Sequence, residues 1–240
     1  MNIFKTLALS ALAFAIPALT ACNSDDDEPK GGGYDGVIFG DFVTLTSADN
    51  QGAIMSLIPL GGTKTVTLST DYKFNLTQFK ADTRIFLNYY YVSEVEDNTV
   101  SGPVHVVTAL NVDGAGAPAP TATAEETNDW ASHRINMSYL QLSGNYVNFI
   151  YTGQSVGDPK SRHFYLDPAT EASAYPEFHI MFEGNLSSGD PQAYGVRGSY
   201  SIADIRKLPA AKGIKVIYPT GNTLESTTLD FDKLNITPAN

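Results

Sequence analysis

Histidines and carboxylates in the second half of the chain are the residues whose types could bind a metal ion. The sequence has four histidines, at positions 105, 133, 163 and 179. In period-2 strands, His163 and His179 lie opposite the neighbouring Phe164 and Phe178, on the face turned away from an aromatic core. With Glu183 they compose a candidate His-His-carboxylate site at the surface, a ligand type that Zn²⁺ accepts. Solvent-facing histidines that bind nothing are the simpler interpretation, so we predict no metal and no cofactor.

The sequence carries no recognisable catalytic constellation. Serine catalysis needs a base and an orienting acid within hydrogen-bond reach, and no serine stands on a recognisable strand-to-helix turn. Glycoside cleavage needs two facing carboxylates, for which Asp167, Glu171, Glu177 and Glu183 are candidates by residue type alone. We therefore predict that the protein is not an enzyme and keep an envelope hydrolase as an alternative hypothesis.

Aromatic residues are a second group with binding chemistry, because their flat apolar rings can stack on sugars. Tyr90 is the best candidate for exposure in a strand, since Ile85, Leu87 and Tyr89 share the opposite face. Trp130 is the only tryptophan of the chain. We take Tyr90 and Trp130 as candidate ligand-binding residues. The alternative is that such rings fill cores and cover sheet faces, where cross-strand aromatic pairs are stabilising.

The single cysteine, Cys22, stands directly behind a targeting segment. Residues 1–21 combine an early Lys5, an apolar run from Leu7 to Leu19 and then small residues, which is the build of a secretory signal. The residues LTAC that end at Cys22 resemble the lipobox of bacterial lipoproteins, in which the thiol is acylated and becomes the mature N-terminus. We predict lipidation at Cys22. Membrane attachment then rests on the lipid anchor, because no later segment approaches about 18 consecutive apolar residues.

An acidic and glycine-rich segment, residues 22–33, follows the predicted signal. The like charges of Asp25–Glu28 repel one another and Gly31–Gly33 resist ordering, so the segment is typical of a flexible tether. Acidic residues behind a lipidated cysteine also resemble the surface-export signal of Bacteroidetes lipoproteins, which predicts an outer-membrane protein exposed at the cell surface. The formal net charge of −11 argues against nucleic acid as a partner.

Short strand-like segments separated by turn residues make up residues 34–112. About five such segments favour a small closed barrel, because a barrel leaves no exposed edge strand. Residues 113–127 are rich in Ala, Pro, Gly and Thr without an aromatic residue, which predicts a linker or a long exposed loop. The predicted strands are Val37–Leu45, Ile54–Ile58, Thr63–Ser69, Arg84–Val92 and Val104–Leu110.

Residues 128–240 show the same period-2 alternation and predict an antiparallel β-sandwich. Ser143–Asn145 is a short turn that should join its two flanking strands in a hairpin. Ala203–Leu208 has the length of one helical turn. The predicted strands are Ile135–Leu142, Tyr146–Thr152, Arg162–Leu166, Phe178–Glu183, Val196–Ile202, Lys215–Tyr218 and Thr227–Phe231.

Short patterns in these strands, together with the lipobox and its acidic followers, carry a family resemblance. Arg84–Tyr89 has an Arg-hydrophobic-Leu-Asn-Tyr pattern, Gly144–Asn148 a Gly-x-Tyr-hydrophobic-Asn pattern, and His163–Leu166 a His-x-x-Leu pattern. Gly198–Ile202 matches a final Ser-hydrophobic strand. On these residues the chain resembles the NigD-like lipoproteins of Bacteroidetes, although the Arg-His pair of that family is absent from Ile180–Asn185.

The resemblance implies an OB-like barrel at residues 34–112 and a β-sandwich at residues 128–240. The family takes its name from a member linked with a bacteriocin locus, for which an immunity role was suggested. We therefore expect a lipid-anchored, non-enzymatic envelope protein that binds a partner protein, with bacteriocin immunity as one form of that role. A surface lipoprotein that binds glycan is the alternative.

Overall fold

The computed structural model describes residues 37–59, 64–122, 133–156, 161–183, 191–221 and 223–233. The predicted signal peptide, Cys22, the tether and Trp130 lie outside these residues. Within them, no helix is long and apolar enough to cross a membrane. The twelve strands are β1 Phe39–Ala48, β2 Ala53–Leu57, β3 Val66–Thr70, β4 Thr83–Tyr91, β5 Gly102–Asn111, β6 His133–Ser143, β7 Tyr146–Val156, β8 Ser161–Leu166, β9 Glu177–Glu183, β10 Pro191–Ser201, β11 Gly213–Pro219 and β12 Leu224–Asp230.

Strands β1 to β5 form a closed barrel in the order β1-β2-β3-β5-β4. The closing pair β1–β4 is antiparallel, and the parallel pair β3–β5 is the exception in the ring. Apolar side chains at alternate positions fill the interior, as the period of two residues per pleat requires. The prediction of an all-β, OB-like barrel is confirmed. Its largest fully buried side chains include Tyr89, Tyr91, Leu45, Met55, Leu68, Ile85 and Leu87.

The remaining strands form two sheets that face each other. One sheet has three strands in the order β10-β7-β6, and the other has four in the order β12-β11-β9-β8. All their pairs are antiparallel except β9–β11, which is parallel, so the predicted sandwich is confirmed with one parallel pair. The β6–β7 hairpin turns at Gly144, whose φ of 57° favours glycine. The predicted helical turn is a 3₁₀ turn at Ile205–Lys207.

Aromatic rings form the core between the two sheets. The ring of Phe164 on β8 lies 5.2 Å from that of Phe149 on β7, 5.1 Å from Phe178 on β9 and 4.9 Å from Tyr200 on β10, centroid to centroid. Gly198 on β10 makes room for this packing, because a Cβ at that position would lie 2.1 Å from the Phe149 ring. The Phe149 ring can therefore lie over its cross-strand partner on β10 only because that partner is a glycine.

The outer wall of the barrel packs against the other face of the three-stranded sheet. Phe42 and Phe86 project outward from β1 and β4, yet both are buried. Their rings lie 5.1 Å apart, and the Phe42 ring lies 5.8 Å from that of Tyr139 on β6. The barrel wall, the three-stranded sheet and the four-stranded sheet are thus three successive layers.

The connection between barrel and sandwich is hydrogen-bonded to the sheets over its described part, residues 113–122. Asp113 N–H donates to Arg197 O at 2.8 Å, Gly116 N–H donates to Ser199 O at 2.8 Å, and Leu166 N–H donates to Pro120 O at 2.9 Å. Composition predicted a linker or an exposed loop. The side chains of this segment do bury little surface. Its backbone groups, however, can pair with a sheet edge whatever the side chains are, and amino-acid composition gives no information on such pairing.

Phe86→Ala should lower the free energy of unfolding by about 3–5 kcal/mol, because it opens a cavity between the barrel and the three-stranded sheet. Val107→Ala on the exposed side of β5 is the matched control, with Val107 47% exposed, and should change that free energy by less than about 0.5 kcal/mol. Urea unfolding followed by circular dichroism measures both. Equal losses for the two variants would mean that the interface does not stabilise the fold.

Candidate ligand cleft beside Arg84

Arg84 occupies the second position of β4, on the outward face of the barrel. Period-2 alternation turns its neighbours Ile85 and Leu87 into the barrel and leaves Arg84 and Phe86 outside. The three-stranded sheet covers this wall, so Arg84 is only 3% exposed. The connection holds the backbone here as well, since Arg84 N–H donates to Ala115 O at 2.9 Å. An arginine at an outward position has thereby become an interior residue.

The guanidinium of Arg84 is held by neutral oxygen atoms from three strands. Its Nε donates to Ser199 Oγ at 3.1 Å, its Nη1 to Thr44 Oγ1 at 3.2 Å and its Nη2 to Asn148 Oδ1 at 3.3 Å. Ser199 Oγ in turn donates to Asn148 Oδ1 at 2.7 Å. The guanidinium carbon lies 4.5 Å from the centroid of the Tyr146 ring, in a cation–π contact.

Burial dominates the electrostatics of this arginine. Desolvation lowers the pKa of Arg84 to about 10, although the fields of Tyr146, Tyr139 and the Asp41 carboxylate act in the opposite direction. The side chain is still protonated at neutral pH. A guanidinium has five N–H donors, and the three hydrogen bonds to Ser199, Thr44 and Asn148 engage three of them. The cation therefore keeps donor capacity for a further acceptor.

A cleft of about 230 Å³ opens beside Arg84, between the barrel and the β6–β7 turn. Ligand pockets for drug-sized molecules are typically about 300–1,000 Å³, so this volume suits one side chain or one sugar ring. The cleft is lined by the guanidinium together with hydroxyl, amide and phenol groups. The polar and aromatic lining residues are Thr44, Ser56, Thr65, Ser143, Asn145 and Tyr146.

Gly116 in the connection leaves the space through which the Arg84 side chain extends toward the three-stranded sheet. The residue has a φ of +87°, which L side chains rarely adopt, and a Cβ there would lie 2.6 Å from Arg84 Cγ. It would also lie 3.3 Å from the Tyr146 ring. Glycine at this position is therefore required twice, by the backbone conformation and by the space.

Tyr90, the sequence-predicted ligand residue, lies away from this cleft. It is half-buried on the outer side of β4, and its ring centroid is 5.1 Å from that of the exposed His105 on β5. Trp130 is outside the described residues, so the pairing of the two stays a prediction. Arg84 carried no predicted role, although its strand is apolar on both faces. That double-sided pattern is typical of a strand buried on both sides and could have identified the site.

Of the sequence-predicted metal residues, His179 is the one whose side chain the structure describes, and it is buried. His179 on β9 is 7% exposed and lies between Tyr165 on β8 and Ile217 on β11 in the sheet register. The expectation of a solvent-facing imidazole is wrong here, because His179 stands between two cross-strand neighbours, Tyr165 and Ile217, that are themselves buried. Burial lowers the pKa of His179, against the field of Glu177. The side chains of His163 and Glu183 lie outside the described residues.

Comparisons with known proteins found solved structures with a similar fold. No protein-family model matches the sequence, and no curated protein matches it. A toxin-related protein of Parabacteroides distasonis is 14% identical, with a TM-score of 0.57 over 81% of this chain and 93% of that one. A protein of unknown function, DUF1344, from Bacteroides vulgatus is 15% identical, with a TM-score of 0.57 over 85% and 95%. This chain shares their fold.

A third solved structure is a NigD-like immunity protein of Bacteroides caccae, 15% identical, with a TM-score of 0.48 over 81% of this chain and 93% of that one. None of these three proteins is named as an enzyme. The two likenesses with a TM-score of 0.57 span 81% and 85% of this chain, so the shared fold includes both the barrel and the sandwich.

Gly116→Ala should lower the free energy of unfolding by about 1–3 kcal/mol, because the new methyl group strains the backbone and displaces Arg84. Gly195→Ala is the matched control on β10, where a Cβ would meet nothing within 4 Å. That variant should unfold within about 0.5 kcal/mol of the unmodified protein. Chemical denaturation at one pH compares the two, and similar stabilities would contradict the close passage of Arg84 beside Gly116.

Proposed function

We propose that the chain is a lipid-anchored, non-enzymatic binding protein of the bacterial cell envelope, whose cleft beside Arg84 receives an acidic side chain of a partner protein. The observation that carries the proposal is the guanidinium itself. It is buried at a cleft, and its hydrogen-bond acceptors among the described residues are neutral. A buried cation is costly without an opposite charge, and a carboxylate from a partner would supply that charge.

The dimensions of the cleft agree with a side chain as the occupant. A volume of about 230 Å³ holds a carboxylate with its methylene groups, and hydroxyl and amide groups around the cleft offer further hydrogen bonds. Guanidinium and carboxylate form strong, directional pairs, since both partners are ionised and planar. Exclusion of water from the cleft by a bound partner would strengthen that pair.

A lipid anchor at Cys22 would hold the domain that carries this cleft near the membrane surface. Residues 22–33 span at most roughly 40 Å when fully extended, so a lipid at Cys22 would keep the domain close to the bilayer. A protein held there meets partners that cross or approach the outer membrane. This supports a role in binding other proteins at the envelope rather than a role as a freely diffusing protein.

The sequence resemblance to NigD-like lipoproteins supports a narrower form of the proposal, in which the partner is a bacteriocin and binding gives immunity. The name of the toxin-related fold neighbour agrees with that form. In this role, binding alone would neutralise the toxin, so no catalytic residue is needed. The partner would present a carboxylate to Arg84, and that charge would be part of what distinguishes it from other proteins.

A photo-crosslinking amino acid in place of the exposed Asn145, which lines the cleft, should capture one protein on intact cells. Thr65→Trp should abolish the crosslink, because an indole at that exposed lining residue fills the cleft. Thr67→Trp is the matched control, since Thr67 is exposed two residues further along the chain and does not line the cleft. Affinity purification and mass spectrometry measure all three.

Crosslinking that survives Thr65→Trp, or that Thr67→Trp also abolishes, would contradict the cleft as the binding site. Where one protein is captured, an acidic residue within its crosslinked peptide is expected. Replacement of that residue by its amide should weaken the complex by about 2–5 kcal/mol, the usual cost of leaving a buried charge unpaired. An unchanged affinity would remove the carboxylate from the proposal.

Glycan binding is a second candidate function, favoured by the pair of Tyr90 and His105 on the outer barrel wall. Their ring centroids lie 5.1 Å apart, with Tyr90 half-buried and His105 exposed. OB folds bind oligosaccharides on one face of the barrel, and a partly exposed aromatic ring beside a polar ring suits a sugar with its apolar and hydroxyl sides.

On this second candidate, Tyr90→Ala and Trp130→Ala should each remove binding to at least one member of a polysaccharide panel without unfolding the protein. Tyr72→Ala is the control, because Tyr72 is a 40% exposed tyrosine elsewhere in the barrel. Isothermal titration calorimetry measures affinity, and circular dichroism checks the fold. Glycan affinity that is equal in all three variants would contradict the role of Tyr90.

A further inference from the structure

Three side chains of metal-ligand type converge on the outer face of the four-stranded sheet, away from the Arg84 cleft. Asp167, Glu177 and His179 each offer a ligand atom, and these atoms all lie within 4.8 Å of one another. Glu177 and His179 stand two residues apart on β9 and therefore project from the same face. Asp167 directly follows the end of β8, the strand that pairs with β9.

The backbone holds these residues in place before any ligand arrives. Asp167 N–H donates to Glu177 O at 2.9 Å, which extends the β8–β9 ladder to the pair of carboxylates. Between them, Thr170 Oγ1 accepts from Glu177 N–H at 2.8 Å and closes the intervening loop. Hydrogen bonds thus fix the backbone of both acidic residues, so that their side chains start from neighbouring positions.

His179 is an independent sign of a missing ligand. The residue is 7% exposed, and neither ring nitrogen has a hydrogen-bond partner in the described part of the chain. Its Nε2 lies 3.8 Å from Glu177 Oε2, which is too long for a hydrogen bond. Buried polar atoms in native proteins are nearly always paired, so a bare imidazole aimed at a carboxylate calls for a ligand between them.

The separations suit a metal ion. Nitrogen and oxygen ligands of one Zn²⁺ lie at about 2.0–2.2 Å from it, so two of them in a tetrahedral site are roughly 3.4 Å apart. The His179–Glu177 distance is 3.8 Å, and movement of the half-exposed carboxylates by on the order of 1 Å would complete the set. One imidazole and two carboxylates are three protein ligands, which leaves a fourth position for water.

Each carboxylate keeps an oxygen for the ion. Lys215 Nζ donates to Glu177 Oε1 at 2.9 Å, whereas Oε2 is the atom near His179. Ala169 N–H donates to Asp167 Oδ1 at 2.9 Å, and this hydrogen bond leaves the other carboxylate oxygen of Asp167 for the ion. The ammonium of Lys215 orients Glu177 and at the same time repels a cation, so it should limit the affinity of the site for metal.

We infer that Asp167, Glu177 and His179 form a binding site for one Zn²⁺ or a similar divalent transition-metal ion. The imidazole selects for this class of metal over Ca²⁺ and Mg²⁺, which prefer sets of oxygen ligands. The site stands on the sandwich alone and does not depend on the function proposed for the cleft.

Calorimetric titration of the metal-free full-length chain with ZnCl₂ tests the inference. All proteins carry Cys22→Ser, since a free thiol is itself a zinc ligand. We expect one ion per chain, with affinity reduced at least about tenfold in Asp167→Asn and in Glu177→Gln. Both substitutions keep the shape of the side chain and the acceptor oxygen, so the fold should persist. His105→Gln, at an exposed histidine of the barrel, should leave the affinity unchanged.

Lys215→Met gives a change in the opposite direction. Removal of the repelling ammonium should increase the affinity for Zn²⁺, whereas a site outside this cluster would not respond. In the nuclear magnetic resonance spectrum, zinc should shift the imidazole signals of His179 and leave those of His105 in place. The inference is overturned if no ion binds at a one-to-one ratio, or if Asp167→Asn and Glu177→Gln bind zinc as tightly as the unmodified chain.

Discussion

The buried guanidinium of Arg84 is the constraint on which the arrangement of barrel and sandwich depends. Removal of a cation from water costs roughly several kcal/mol even after relaxation, and three neutral oxygens from β1, β7 and β10 share the compensation. Those strands belong to both layers, so the three hydrogen bonds form together only when the barrel docks on the sheet in this register. An apolar residue at the same position could stabilise the contact without requiring these three oxygens beside it.

The three-stranded sheet can provide oxygen acceptors to Arg84 and still pack an apolar core because its two faces differ in chemistry. On β7, Phe149 and Tyr151 face the aromatic core, whereas Asn148 faces Arg84. On β10, Gly198 accommodates the Phe149 ring, and the adjacent Ser199 turns its hydroxyl toward the barrel. Period-2 alternation thus lets one sheet pack apolar rings on one side and hold a cation on the other. The sheet is the middle of three layers, and each of its two faces needs its own packing partner.

Local alternation explains why the strands could be predicted and why the buried polar sites could not. Each predicted strand overlaps an observed one, because apolar periodicity is a property of a few adjacent residues. It assigned His179 to the face turned away from the aromatic core, whereas Arg84 carried no predicted role. What covers an outward face is decided by residues far away in the sequence, such as Ser199 for Arg84. The signals that remained were indirect, notably the apolar residues on both faces of β4.

Arg84 and His179 are both buried polar side chains, but they differ in their hydrogen bonding. Arg84 makes three hydrogen bonds, and the described residues give His179 none. An unpaired buried polar group costs about 1–3 kcal/mol, so its persistence beside two carboxylates is explained by a ligand that offsets this cost. The groups lie on different sheets, with the aromatic core between them. Since distant sites without shared partners act independently, occupation of the metal site should leave partner binding at the cleft unchanged.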